Sequence, residues 1–226
     1  MSLIADNLRK VLTSIEQSCC QSNRQVNSVN LLAVSKTKPA ESIAAAYYAG
    51  QRHFGENYVQ ELASKADELS DLDIIWHFIG PIQSNKTRLI AEHADWVHSI
   101  DREKTAKRLN EQRDINITPL QVCLQVNISA EDSKSGASVE QLNALAAFVD
   151  SCPNLVLRGL MCIPAKGDVE QTKQSFLKMA ELFAQLKQTY SSVDTLSMGM
   201  SGDMDIAVEC GSTMVRVGTA IFGSRD

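Results

Sequence analysis

Lys36 is the side chain with the plainest chemical potential. It ends the run Leu31-Leu32-Ala33-Val34-Ser35-Lys36-Thr37-Lys38-Pro39, and the period-two alternation of a strand sets it on the same face as Leu32 and Val34. A lysine at the rim of an apolar interior is partly desolvated, which favours the neutral amine, and a neutral amine attacks aldehydes. Such a lysine suits Schiff-base chemistry. The competing reading is a snorkelling surface lysine, which Lys38, beside Pro39 at a helix start, satisfies better.

Two later segments could hold an anion near that amine. Ser197-Met198-Gly199-Met200-Ser201-Gly202 leads into a helix expected to end near Gly211, with Ser201 as its N-cap and the Gly202 amide free to point at a dianion. Gly218 and Thr219, at the end of the last apolar run, add a backbone and a hydroxyl donor. Asp203 and Asp205 satisfy the same helix start without any ligand. Arg216 shares a strand face with Met214 and Gly218, while Val215 and Val217 take the aliphatic face. An inward arginine needs an acceptor: a carboxylate in an ion pair, or a ligand atom such as a phosphate oxygen or ring nitrogen. Glu56, Asn57, His77, Gly80 and Asn127 close other apolar runs. Asn57 could equally cap a helix, His77 reads as a satisfied core histidine, and Ser84 with Lys86 and Arg88 as a capped, solvated helix.

Eight short runs rich in β-branched and aromatic residues must position these groups: 30–35, 52–55, 74–80, 96–100, 120–128, 155–163, 195–198 and 214–218. Seven helical patterns lie between them, clearest at Val139–Val149 and Phe176–Leu186, and Met1–Cys20 is an amphipathic helix ahead of the first strand. Strands alternating with helices imply a parallel sheet, and eight of them favour one closed (β/α)8 barrel over a doubly wound open sheet. Neither nucleotide-binding glycine fingerprint follows the first strand. The polar stretch Ser129–Ser138 reads as a mobile loop at a strand end.

Composition narrows the function classes. A net charge of −5 over 226 residues argues against a phosphate-backbone binder. No apolar run approaches a membrane span, the six cysteines form no C-x-x-C pair, and the four histidines show no zinc-ligand spacing. The expectation is a soluble, cytoplasmic protein with reduced thiols and no metal.

Six blocks in order carry a resemblance: LLAVSKTKP (31–39), FGENYVQE (54–61), WHFIGPIQSNK (76–86), LRGLMCIPA (157–165), LSMGMSGDM (196–204) and GSTMVRVGTAIFG (211–223). From Leu31 to Arg225 the chain resembles the YggS/PROSC family of pyridoxal phosphate homeostasis proteins. The resemblance implies a single α/β domain over residues 1–226, a TIM-type barrel of PLP fold-type III with an additional N-terminal helix, similar to the barrel of alanine racemase. It implies pyridoxal 5′-phosphate (PLP) as an internal aldimine on Lys36, a phosphate grip from Ser201, Gly202, Gly218 and Thr219, Arg216 against the pyridine nitrogen, and Asn57 near the cofactor. Gly202 departs from the Asp or Ala expected in relatives and softens that turn. An arginine at the ring nitrogen disfavours its protonation and makes a poor electron sink. The chain ends soon after the eighth strand, without the second domain that supplies a racemase with its opposite-face acid. These points imply an intracellular PLP carrier or buffer that influences amino-acid and keto-acid balance without substantial turnover. Its expected partners are PLP and PLP-dependent apoenzymes, as a monomer, with no nucleic acid and no membrane. A weak PLP-dependent amino-acid racemase is the alternative, and a class I aldolase-like barrel a more distant one. Lys38 and Lys134 stand as possible secondary aldimine sites.

Overall fold

The apolar runs fold as eight parallel strands that close into one barrel in chain order. A computed structural model describes residues 2–129, 135–165 and 167–224. The strands are β1 (Asn30–Val34), β2 (His53–Glu56), β3 (Ile75–Phe78), β4 (Trp96–Ile100), β5 (Leu120–Gln125), β6 (Leu155–Met161), β7 (Thr195–Met200) and β8 (Met214–Val217). Helix α1 (Leu3–Gln21) precedes them. Helices α2 (Ala40–Tyr48), α3 (Val59–Glu68), α4 (Thr87–His93), α5 (Glu103–Gln112), α6 (Leu142–Asp150), α7 (Val169–Thr189) and α8 (Met204–Glu209) follow successive strands, and α9 (Thr219–Phe222) follows β8. The expected strands all form, with ends displaced by up to three residues. The largest displacement is at β5, where the Asn127 amide leaves the β6 ladder and donates to the Ala137 carbonyl at 2.9 Å. Part of the expected 129–138 loop, Lys134 included, lies outside the described residues.

Alternation along each strand divides the side chains between two environments. Leu31, Ala33, Val122, Leu124, Val215 and Val217 face outward into the main apolar core beneath the helices. The barrel interior holds His77, His98, Ser197 and Arg216, all buried, beside a separate apolar cluster of Trp96, Cys123 and Met161. Helix α1 packs Leu8, Val11, Ile15 and Cys19 against the core, each aliphatic side chain worth about 1.5–3 kcal/mol relative to exposure. Polar ties fasten its face to the last units of the barrel: Asn7 Nδ2 donates to the Ile221 carbonyl at 3.2 Å and the Ser18 hydroxyl to Asp205 at 2.6 Å. Among the described residues no helix is long and apolar enough to cross a membrane.

Strand β6 carries a register shift against β5 between Val122 and Cys123, and Gly159 sits there with φ of 150°. A Cβ at Gly159 would lie 1.8 Å from the Thr195 carbonyl oxygen, so β6 and β7 can pair at this point only around a glycine. Gly159→Ala is expected to lower stability by about 3 kcal/mol through backbone strain and overpacking. Urea unfolding at neutral pH checks it; a loss under about 1 kcal/mol would show that the ladder shifts to make room.

Candidate functional site

Lys36 is half-buried just past the end of β1, and its neighbours in the chain are held by a charged cluster that the sequence reading missed. The buried Ser35 donates its hydroxyl to Glu56 Oε1 at 2.6 Å. Lys65 Nζ, from α3, donates to the Ser35 carbonyl at 3.0 Å, to Glu56 Oε1 at 2.8 Å and to Glu61 Oε2 at 2.7 Å. On the other side of Lys36, Thr37 adopts φ of 63°, unusual for a β-branched residue, and its amide donates to Glu61 Oε2 at 2.7 Å. The backbone is thus fixed immediately before and after the amine-bearing residue. Burial pushes the Glu56 carboxyl above its ordinary range against the pull of Lys65 and Ser35. Glu61, though partly desolvated, is held below its ordinary range by Lys65 and the Thr37 amide. Glu56 therefore does not face a ligand alone, as its strand-end position implied. The signal for Glu61 and Lys65 was their i, i+4 spacing on a helix. Lys38 is tied elsewhere, donating to the Ser224 carbonyl at 2.6 Å.

Arg216 points inward, as alternation predicts, but its acceptor is neither a carboxylate nor a phosphate. Nη1 donates to the Ser197 carbonyl at 2.7 Å and to Ser197 Oγ at 3.0 Å, and Nη2 donates to the Cys162 carbonyl at 2.9 Å. One of these carbonyls follows the end of β6 and the other belongs to Ser197, where the register of β7 against β8 begins to shift. Burial lowers the pKa of the Arg216 guanidinium. His77 is a satisfied interior histidine: its Nε2 lies 2.9 Å from His53 Nδ1, and its Nδ1 lies 2.8 Å from His98 Nε2. His98 Nδ1 in turn lies 2.9 Å from Ser197 Oγ. Burial lowers the pKa of all three imidazoles, and the charge of Arg216 adds to the depression of His98, which falls to about 3.

The turn after β7 differs from its expectation. Helix α8 begins at Met204 with Asp203 at the N-cap position, where its side chain makes no cap hydrogen bond and instead accepts from the Met200 amide at 2.5 Å in the preceding turn. Ser201 and Gly202 are exposed in that turn, and Ser201 does not cap. Nothing lies within 4 Å of a Cβ built at Gly202, so that glycine borders open space. Gly218 is the opposite case: a Cβ there would sit 2.9 Å from the Val34 carbonyl. Thr219 starts α9 directly after it. Asn57 does not cap α3, whose N-cap is Tyr58. Its buried Oδ1 has no hydrogen-bond partner among the described residues, and neither has Glu56 Oε2. A Cβ at Gly80 would fall 2.1 Å from the Asn57 carbonyl, so the end of β3 packs against the Asn57 backbone. Ser84 likewise leaves the cap of α4 to Lys86.

Comparison with known proteins places this arrangement. Residues 11–226 match the family model of the alanine racemase N-terminal domain. The chain is 56% identical to the pyridoxal phosphate homeostasis protein of Vibrio cholerae, with 100% of this chain and 98% of that one covered. It is 53% identical to the protein of that name in Escherichia coli strain K12, at the same coverage. The chain belongs to the pyridoxal phosphate homeostasis protein family. Among solved structures, PipY of Synechococcus elongatus with PLP bound is 38% identical with a TM-score of 0.83, covering 97% of this chain and 100% of that one. Beyond the homeostasis family, alanine racemase of Corynebacterium glutamicum shares the fold at 16% identity and a TM-score of 0.73, covering 98% of this chain and 60% of that one. The barrel of the homeostasis proteins is thus the alanine racemase N-terminal fold.

Proposed function

We propose that this protein binds PLP through a covalent bond to the Lys36 amine and acts in intracellular PLP homeostasis, holding and releasing the cofactor without substantial turnover. The observation that carries the reading is the β8–β1 seam, where Arg216 pairs opposite Leu32 on the strand that leads into Lys36. PLP needs an amine for its aldehyde, a partner for its ring nitrogen and donors for its phosphate. PLP, when bound, supplies an electrophilic carbon and a ring able to withdraw electrons. The residues present fit these needs. The clamp around Lys36 orders the chain that presents the amine. Of the five N–H groups of a guanidinium, Arg216 has committed three, and those left can only donate. A ring nitrogen meeting them must accept, so it stays unprotonated and withdraws electrons weakly, which opposes carbanion chemistry. The unsatisfied Asn57 Oδ1 supports a ligand-facing role for that side chain. Ser201, Gly202, Gly218 and Thr219 would hold the phosphate, with Gly218 leaving room where the backbone of β1 comes close.

In this proposal one domain spans residues 1–226, works as a monomer in the cytoplasm and passes PLP to apoenzymes that need it. The test is the near-visible spectrum of the purified protein before and after borohydride, with peptide mapping of the modified lysine and Lys36→Ala in parallel. The expected result is a yellow protein whose pyridoxyl adduct maps to Lys36, lost entirely in Lys36→Ala while stability changes by less than about 1 kcal/mol. A colourless protein that takes up no added PLP, or an adduct unaffected by Lys36→Ala, overturns the attachment. Sustained incorporation of solvent deuterium at the Cα of an amino acid would overturn the carrier reading in favour of a weak racemase.

A further inference from the structure

A row of polar side chains crosses the barrel interior from its N-terminal end to Arg216, drawn from five strands: His53 on β2, His77 on β3, His98 on β4, Ser197 on β7 and Arg216 on β8. Each step is 2.8 to 3.0 Å. Barrel interiors are ordinarily filled with branched aliphatic side chains, and placing three imidazoles there requires that every ring nitrogen find a partner.

The direction of the row follows from its end. A guanidinium donates and never accepts, so Ser197 Oγ accepts from Arg216. The single hydroxyl proton of Ser197 then goes to His98 Nδ1, 2.9 Å away. A neutral His98 that accepts at Nδ1 carries its proton on Nε2 and donates to His77 Nδ1. By the same rule His77 donates from Nε2 to His53 Nδ1, leaving His53 Nε2–H at the half-buried end. The reverse order would have Ser197 Oγ accept from both neighbours and leave its own proton unplaced. With the row in this order, a second proton on Nδ1 of any of the three rings would face a donor already in place.

We infer that His53, His77 and His98 are positioning residues for Arg216: three imidazoles, each protonated on Nε2 alone, transmit one sense of hydrogen bonding through Ser197 and hold the guanidinium in a single orientation in the barrel interior. Their lowered pKa values agree with neutral rings. His77 also stacks on Trp96, with ring centroids 5.3 Å apart and planes 17° from parallel, which fixes the plane of the middle ring. The inference draws its functional interest from the proposed role of Arg216 toward PLP, but its test reads the protein alone and can fail independently.

The experiment is nitrogen-15 NMR of the labelled protein near neutral pH, reading imidazole tautomers through long-range couplings and the exchange of the Arg216 guanidinium protons with water. Three Nε2–H tautomers are expected, with the half-buried His93, which lies outside the row, as the internal comparison. An Nδ1–H or cationic pattern at His77 or His98 overturns the inference. In His77→Phe, which touches neither Ser197 nor Arg216, His98 should lose its fixed tautomer and guanidinium exchange should rise about tenfold, the effect of one lost hydrogen bond. Should that variant misfold, the half-buried end provides the second pair. His53→Leu removes the terminal acceptor and should speed exchange, and His53→Gln, whose amide oxygen can accept, should restore it. Unchanged exchange in a folded His77→Phe or in His53→Leu, or no rescue by His53→Gln, overturns it equally.

Discussion

Replacing Lys65 by methionine is expected to lower the stability of the barrel by about 3–5 kcal/mol, the range for removing one partner of a buried ion pair. Glu56 is fully buried, and without Lys65 it keeps the Ser35 hydroxyl as its remaining hydrogen bond. The cost belongs to the stranded carboxylate, not to the lost methylenes, since methionine nearly preserves the volume. Lys65→Met combined with Glu56→Gln should therefore recover most of the loss. The deficit also has a defined pH dependence. Burial already raises the Glu56 pKa, and losing Lys65 raises it further, so the protonated form relieves the variant as the pH falls. Urea unfolding of both proteins between pH 7 and 5 should show the gap narrowing; a gap independent of pH would mean that Glu56 stays ionised and is rescued by another group. Without Lys65 the Ser35 carbonyl loses its donor and Glu61 loses the charge that holds it beside the Thr37 amide, so in the proposed function borohydride trapping of PLP on Lys36 should slow.

The second large effect is acid unfolding driven from inside the barrel. In the unfolded chain an imidazole binds its proton as the pH falls through 6.5, whereas His98 in the fold does so only near 3. Its folded pKa is depressed, so its contribution to stability is complete above about 6.5 and is lost progressively as the pH falls toward 3. At about 1.4 kcal/mol per unit, this one residue accounts for about 5 kcal/mol across that window. His77, also pushed down by burial and by its two histidine neighbours, acts in the same direction. A domain of ordinary stability, about 5–15 kcal/mol, would lose much of its margin before most carboxylates titrate. The measurement is the pH dependence of unfolding free energy between 6.5 and 5, in the native protein and in His98→Gln. Each buried neutral histidine should add a slope of about 1.4 kcal/mol per pH unit, and the variant should be flatter by one such slope. Equal slopes would show that His98 is protonated in the fold.

The parts of the site that rest on alternation within one strand were legible in the sequence. Arg216 faces inward because Val215 and Val217 face outward, whereas Lys36 lies two residues beyond the last strand residue, Val34. The parts that depend on register between strands were not. His53, His77 and His98 lie more than twenty residues apart, and only the pairing of His53 with Ile75 and of His77 with Trp96, each two residues short of the next histidine, brings them within reach of one another. Lys65 was hidden for another reason: a lysine on a helix bearing Glu61 and Asp67 reads as part of a solvated face, whereas it is buried with its amine on the Ser35 carbonyl and Glu56. The cap at Ser201 was misplaced because the helix starts two residues later than a Ser201 cap requires, after a turn closed by the Asp203 carboxylate on the Met200 amide.

The order in which the barrel closes has a consequence for the life of the chain. The pairing of β8 with β1 joins the two ends of the sheet, and α1 is held by residues of α8 and α9. During synthesis the first helix and first strand emerge long before their partners, and such distant contacts make assembly slow. Lys36 and Arg216 lie on opposite sides of that last junction, so the half-made chain cannot present both. If PLP binds at this seam as proposed, its retention would distinguish a finished molecule from a nascent or truncated one, and PLP present as the ribosome releases the chain would favour the closed ring over the open sheet.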